Sequence, residues 1–521
     1  MRRLPLKRIA EAALIILLCV SVRLTGIRHG APDLIFHPDV AKQVFVARDV
    51  YAGVHRPELN RYVDNYAQAL YPYGASVLLA QKLKMLSPFL RAAGWDREQL
   101  LNMHRWSWAF LLRLNSVFWI TLALAVFIMR AWPALSWKTR LPAALLLIFE
   151  PVNAQYSHYG MNDVPLAALL MLAWLAAAAI DRDTGCRPWR SALCGLILGV
   201  AFGVKYQALL GILLPVTVWI LLFREKNAGW RWAVPVAVAT GFLAGALYAC
   251  PPLRIPDYFM KHFPRFMAWQ ANITGEEISL MGKISRNAAL LVRFSFRYGY
   301  WLLLPPWVLL MLRAARKKLD RNTLLMAVPG FVFSTFLLFL FIVSRDFIRS
   351  NDLVALAPFW IWPVALIKSP ERRGPRIVFR AILTALVMAW ISAAWFDSLA
   401  LRRTDTRIRA RDWCVEHFHS RQTAIFERYT LRTRKPRVHE VQVRNLVSRQ
   451  ARRHMRRGQY QWLVQSSIAS DRFYDPLSPY FDRQAQRDYL DIETSHVVMA
   501  EFRDRELFFA HPRIRIYTPA P

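Results

Sequence analysis

The sequence predicts an α-helical polytopic membrane protein with a small α/β domain at its C-terminal end. Three observations lead there. Apolar stretches near the ~20 residues that cross a bilayer as helix recur through the first two-thirds of the 521-residue chain. Connectors rich in Arg and Lys lie between many of them. After about residue 400 the long apolar runs stop and short strand-like segments replace them. With 55% hydrophobic and 20% charged residues, the chain is neither disordered nor an ordinary soluble domain.

The basic start, residues 1–8, precedes an apolar run over 9–27. No small-x-small cleavage site follows, so this reads as an uncleaved first span with Arg23 snorkelling toward the outer surface. Further spans are expected near 108–130, 141–157, 163–180, 191–205, 206–223, 232–250, 287–312, 324–343, 353–368 and 377–398, about eleven in all. Connectors 130–140, 181–190, 224–231, 313–321 and 368–380 are short and basic, which places them and the N-terminus in the cytoplasm. An odd count then leaves the C-terminal region outside. The outer segments are loop 28–107, turn 156–163, loop 251–287 and turn 345–352. In the first loop, Val40, Val44, Phe45, Ala47, Val50 and Tyr51 recur at helical spacing, which predicts an amphipathic helix on the membrane surface. Tyr71-Pro72-Tyr73-Gly74 should turn the chain back.

The division expected is a transmembrane domain, 1–399, and a soluble extracytoplasmic α/β domain, 400–521. In the latter, 405–418 reads as a helix, and 423–426, 461–465 and 513–517 read as strands. The formal charge of +34 does not imply nucleic acid: many cations sit in connectors, and no nucleic-acid-binding motif occurs. Basic surfaces of this kind suit anionic membrane lipids. The five cysteines include no C-x-x-C pair, so neither a disulfide framework nor a thiolate zinc site is expected.

The polar groups with chemical capacity fall on the outer segments. In Phe36-His37-Pro38-Asp39, the carboxylate of Asp39 is the leading general base, with helix N-capping as its structural alternative. His37 is its supporting partner. Asp163 precedes an apolar span with Pro165 in the first turn, again compatible with capping, and His158 lies just before it. His37, Asp39, His158 and Asp163 offer donor types suited to a divalent metal, but their spacing demands none and no metal is assigned. Lys205 interrupts an apolar stretch and should pair with an anion or snorkel. Arg293 and Arg297 share one helix face, as do Arg345 and Arg349; each alone reads as an interfacial anchor, whereas several converging on one face would cradle a phosphate.

These residues resemble a known family, the polytopic glycosyltransferases of the GT-C fold, related to protein O-mannosyltransferases and lipid A aminoarabinose transferases. Phe36-His37-Pro38-Asp39 looks like the acidic motif of the family's first outer loop, and Tyr71-Pro72 like a later tyrosine-proline. The segment Ser157-His158-Tyr159 to Asp163-Val164-Pro165 resembles the second acidic motif. Gly195 to Lys205 looks like the glycine-rich fifth span ending in lysine. Asp405-Thr406-Arg407, Arg411-Asp412-Trp413 and Glu427-Arg428-Tyr429 resemble the segment after the last span. The chain departs at Val40, where the family carries a second acid, and at Arg349-Ser350, where arginine-tyrosine is common.

The resemblance implies transfer of a sugar from a polyprenyl-phosphate donor to an acceptor hydroxyl on a glycan, lipid or protein. It places the reaction on the outer face of a bacterial inner membrane, by a single inverting displacement. Asp39 and Asp163 would be catalytic; His37, Tyr71, His158, Lys205, Arg293, Arg297, Arg345 and Arg349 would bind substrate. The rival class is a multi-span transporter of an anionic or lipid-linked substrate. That reading expects midplane charges and internal repeats, whereas here the acids lie at outer ends and no repeat is seen.

Overall fold

The computed structural model describes residues 6–31, 38–54, 73–131, 137–180, 188–223, 228–271, 278–316, 318–366, 373–433, 435–507 and 510–520. The chain divides into two compact units. One comprises Met1–Leu24 and Pro38–Phe396, the other Thr25–His37 and Asp397–Pro521.

The first unit is helical. Its principal helices are α1 (Leu6–Leu24), α2 (Pro38–Ala52), α3 (Gly74–Met85), α4 (Arg105–Ala131), α5 (Trp137–Phe149), α6 (Pro151–Ser157), α7 (Asp163–Ala178), α8 (Pro188–Val204), α9 (Leu213–Leu222), α10 (Ala228–Ala249), α11 (Leu280–Tyr298), α12 (Leu304–Ala315), α13 (Arg321–Ser344), α14 (Ser350–Val354) and α15 (Ala357–Leu366). A further helix, α16 (Arg373–Ala400), leads into the second unit. Among the described residues, four helical stretches are long and apolar enough to cross a bilayer: Arg105–Met129, Gly229–Ala249, Arg321–Ser344 and Ile377–Ala400. Their outward flanks carry large apolar side chains such as Phe118, Phe336, Phe339 and Ile382. A surface of that kind is covered by lipid in an integral membrane protein.

Two expected spans are broken by local chemistry. The stretch 141–157 divides at Glu150-Pro151, where the Glu150 carboxylate caps α6 by accepting from Val152 N (3.0 Å) and Asn153 N (2.5 Å). The stretch 287–312 ends its first helix at Gly299, which sits in the left-handed region at φ 74°. The apolar run after Lys205 starts as a 3₁₀ helix, Tyr206–Ile212, before α9.

Arg23 does not snorkel outward. It is fully buried, with Nη2 donating to Asn153 Oδ1 (3.2 Å) and Nη1 lying 3.3 Å from Cys19 Sγ. Its charge faces the buried Glu150 carboxylate, which also accepts from the Tyr300 hydroxyl. An inward arginine is tolerated because an anion and amide oxygens replace its water. Likewise, the apolar stripe of α2 is covered by α3 and α4 instead of lying on the membrane surface, with Val40, Val44, Ala47, Val50 and Tyr51 all buried. Ser76 Oγ of α3 donates to the Gln43 carbonyl (2.9 Å) and fixes that packing.

α8 and α10 pack backbone to backbone. A Cβ added at Gly195 or Gly199 would collide with the Val238 or Phe242 carbonyl of α10, and one at Gly241 or Gly245 with carbonyls of α8. Small residues four apart on both helices permit this approach.

The second unit holds a five-stranded sheet of order β2-β1-β3-β5-β4. The strands are β1 (Thr423–Glu427), β2 (His439–Val443), β3 (Trp462–Ser466), β4 (His496–Phe502) and β5 (Ile514–Pro519). β1 runs parallel to β2 and β3, whereas β5 is antiparallel to β3 and β4. Strand alternation separates two cores. Ile425, Leu463 and Tyr517 join one with Val441 and Tyr489, while Ala424, Phe426, Val464 and Ile516 join the other with Ala410 and Cys414 of α17 (Thr406–His417). The three expected strands and the helix after Asp405 are present. The edge strands β2 and β4 escape sequence reading because His439-Glu440-Val441-Gln442-Val443 carries only two apolar residues, and β4 begins directly where the helix Arg483–Ser495 ends, with no turn residues to mark its start. Cys19, Cys194, Cys250 and Cys414 are buried free thiols; Cys186 lies outside the described residues.

Glu427 anchors this domain from the end of β1. It accepts from Leu446 N (3.0 Å), Ser466 N (2.8 Å) and the Tyr489 hydroxyl. Full burial outweighs these bonds and pushes its carboxyl up to about 7, from 4.5. A raised folded value means that the folded form holds the proton more tightly. The resulting stability is complete below about pH 4.5 and is lost as pH rises through about 7, up to about 3 kcal/mol. The unfolding temperature of this domain is therefore expected to fall between pH 5 and pH 8, and Glu427→Gln to flatten that dependence. Equal slopes in wild type and variant would refute the assignment.

Candidate active site

Of the polar groups expected from the sequence, Asp163, Lys205, Arg345 and Arg349 lie close together at helix ends of the first unit. Asp163 opens α7 in its first turn and is nearly fully buried. The capping position is Asn162, so the Asp163 carboxylate is available for other contacts. Its Oδ1 accepts from Lys205 Nζ at 2.7 Å and from Asn351 Nδ2 at 3.2 Å. Lys205 sits where α8 stops: its backbone is extended (φ −159°, ψ 126°) between α8 and the 3₁₀ helix. The lysine thus ends the helix and turns its ammonium onto an acid instead of snorkelling.

The turn following α13 supplies the next groups. Arg349 N–H donates to Asp352 Oδ2 (3.0 Å), and Arg345 Nη2 lies 3.4 Å from Asp352 Oδ1. Burial alone would raise the Asp352 carboxyl, yet the cations of Arg345, Lys205 and Arg349 hold it below the usual carboxylate range. The Arg349 guanidinium stands over the Phe347 ring at 4.8 Å. Tyr156 OH and Ser350 Oγ are 3.3 Å apart, tying α6 to α14. Lys205, Arg345 and Arg349 set against Asp163 and Asp352 leave a surplus of one positive charge among these five groups.

Asp39 lies in the first turn of α2, one residue inside the helix that starts at Pro38, so it does not occupy the N-cap. A carboxylate there is favoured by the helix dipole. Its neighbour is Tyr73: burial, then the Asp39 charge, push that phenol up. The next residue, Gly74, abuts α8, where an added Cβ would collide with Gly203 and Val204 backbone. Asp39, Tyr73 and the end of α8 at Lys205 therefore form a continuous sequence of neighbours. The glycine pair is what lets α3 approach so closely.

The remaining candidates fall as follows. His158 is buried at the end of α6, with Nδ1 2.9 Å from the Ala154 carbonyl. Arg293 and Arg297 lie on the exposed side of α11, the latter 5.7 Å from the Tyr298 ring. His37 and Tyr71 lie outside the described residues. Sequence reading missed Asn287, which is fully buried on α11. Its Nδ2 donates to the Ile342 (2.9 Å) and Arg345 (2.8 Å) carbonyls, and its Oδ1 accepts from Ile348 N (2.9 Å). One amide thus closes the end of α13 and shapes the turn carrying Arg345 and Arg349. Its sequence signal was a lone amide on the inner face of an otherwise apolar helix stripe.

Comparison with solved structures now bears on the architecture. The structure is similar to ArnT from Cupriavidus metallidurans bound to undecaprenyl phosphate, with a TM-score of 0.52 and 13% identity, covering 98% of each chain. The chain has the GT-C fold. Similarity is lower to the same organism's ArnT in the apo state (TM-score 0.48, 12% identity, 98% of this chain and 99% of that one). It is lower again to archaeal AglB from Archaeoglobus fulgidus in complex with an inhibitory peptide and a dolichol-phosphate (0.44, 9%, 90% and 70%). No protein-family model and no curated protein matches the sequence. In this chain the charged cluster is gathered from three separated stretches, at α7, the end of α8 and the turn leading into α14.

Proposed function

We propose that this protein is an integral membrane glycosyltransferase moving a sugar from a polyprenyl-phosphate donor to an acceptor hydroxyl. We place the reaction on the extracytoplasmic face of a bacterial inner membrane, with the N-terminus cytoplasmic. The observation that carries the proposal is the cluster of three cations and two carboxylates, linked to Asp39 through Tyr73, Gly74 and the end of α8, in a chain folded like a protein that binds undecaprenyl phosphate.

In this reading Asp39 accepts the proton of the acceptor hydroxyl as its oxygen attacks the anomeric carbon. The bond from that carbon to the donor phosphate oxygen breaks, and the lipid phosphate leaves with an added negative charge. A single displacement inverts the anomeric centre. The surplus cation of the cluster meets that charge, and Lys205, Arg345 and Arg349 supply the N–H donors. Asp163 holds the Lys205 ammonium in place, and Asp352 does the same for the turn bearing the two arginines. Gln43, one turn beyond Asp39 on α2, is fully buried and adds an amide for the acceptor.

Asn287 is a positioning residue in this scheme. Asn287→Ala is expected to lower kcat roughly tenfold to hundredfold by loosening the 345–349 turn. Substrate-saturated rates of the purified variant test this, and wild-type kcat would show that the turn holds its shape unaided.

The reading itself is tested by profiling glycans and glycolipids of cells with and without the protein, then assaying the purified protein with polyprenyl-phosphate sugars. A lost product together with sugar transfer in vitro is expected. Passage of an intact substrate across proteoliposomes, with no bond cleaved, would favour the transporter instead.

A further inference from the structure

The second unit contains a buried trio that the reaction above does not use. His29, Asp405 and His511 are respectively 4%, 0% and 0% exposed. Three of their donor atoms lie within 4.8 Å of one another, and the two imidazole centroids are 4.7 Å apart.

Their hydrogen bonds fix the tautomers. His29 Nδ1 is 2.8 Å from the Leu401 carbonyl, and His511 Nε2 is 2.8 Å from the Ala400 carbonyl. A carbonyl only accepts, so those nitrogens carry protons, and in the neutral rings the opposite nitrogens present lone pairs. His29 Nε2 then faces Asp405 Oδ2 at 3.1 Å, lone pair against carboxylate. His511 Nδ1 is buried with no hydrogen-bond partner. A proton added to His29 would relieve the first conflict and leave the second. A cation shared by all three atoms relieves both.

The surroundings match the arrangement seen around metal ligands. Each imidazole is oriented by a backbone carbonyl through its other nitrogen. The carboxylate is fixed by Arg407 Nε (2.8 Å) and Nη2 (2.9 Å), and by the His511 N–H (3.0 Å). Two ligands on one ion at about 2.1 Å are at most about 4.2 Å apart, so the trio closes by shifts of about half an ångström. Two imidazoles and one carboxylate select zinc-like divalent ions over magnesium or calcium, which take oxygen ligands.

We propose that His29 Nε2, Asp405 Oδ2 and His511 Nδ1 form a structural site for a zinc-class divalent ion. It would fasten residues 25–31, just after α1, to the start of α17 and to the loop entering β5. The inference is independent of the glycosyltransferase reading, since no group in it takes part in that reaction.

The test uses the full-length protein, purified in detergent with a tag free of histidine, exposed to Zn²⁺, desalted and analysed for metal. About one zinc per chain is expected in wild type and in the exposed-residue control His419→Ala, with loss in His29→Ala and His511→Ala. Cobalt loading of wild type should give the visible absorption of a low-symmetry, four- or five-coordinate ion, a readout that does not rely on the variants folding. Wild type retaining no zinc and giving no such spectrum would overturn the proposal and leave a metal-free His29–Asp405 ion pair. Full zinc in His511→Ala would overturn it as well.

Discussion

Asp39→Asn is expected to abolish sugar transfer, by about a thousandfold or more, while expression and membrane insertion stay intact. Asparagine keeps the shape and polarity of the side chain and removes only its capacity to take a proton. The structural cost is small, because a carboxylate in the first turn of a helix contributes only about 0.3–1 kcal/mol through the dipole. A thousandfold rate loss corresponds to about 4 kcal/mol, so the two effects separate cleanly. Tyr73 provides an internal check: with the Asp39 charge gone, one of the two influences raising its phenol disappears. Transfer rates and the detergent-solubilised yield of the variant are the measurements. Full activity would remove Asp39 from the mechanism.

Lys205→Ala should have the next largest effect, and it acts in two ways. The ammonium is 2.7 Å from Asp163 Oδ1, with side-chain exposures of 14% and 4%. Removing it leaves a buried carboxylate partnered, among the described side chains, only by the Asn351 amide, a change that costs about 3–5 kcal/mol of stability in comparable buried pairs. It also removes a cation proposed to meet the donor phosphate, so KM for the lipid-phosphate donor should rise at least about tenfold. The double variant Lys205→Ala/Asp163→Asn separates these effects. Neutralising Asp163 should recover much of the stability and none of the donor affinity. Unchanged donor saturation in the single variant would exclude Lys205 as a phosphate contact.

Much of the architecture is written locally. Apolar runs near bilayer length, Arg/Lys-rich connectors and the loss of long apolar runs after residue 400 give a helical membrane unit followed by an α/β domain. Central strands β1, β3 and β5 are legible because each places apolar residues in both cores, whereas β2 is polar on one face and β4 follows the helix Arg483–Ser495 with no turn between them. Asp163 and Lys205 stand out because ionisable groups interrupt or border apolar runs. Their pairing does not, since residues 42 apart in sequence meet only once α7 and α8 pack.

What the sequence by itself determined is the class of the fold, the position of most helices and a shortlist of charged residues. Periodicity, caps and charge placement are properties of neighbouring residues, and they settle those questions. Tertiary structure decided the partners: Arg23 turned inward to Asn153, the α2 stripe covered by protein, and Asn287 closing the arginine turn. It also decided that Gly74 meets Gly203, which brings Asp39 toward Lys205. Each depends on which surfaces exclude water together, and a buried charge takes whichever counter-group the packing delivers.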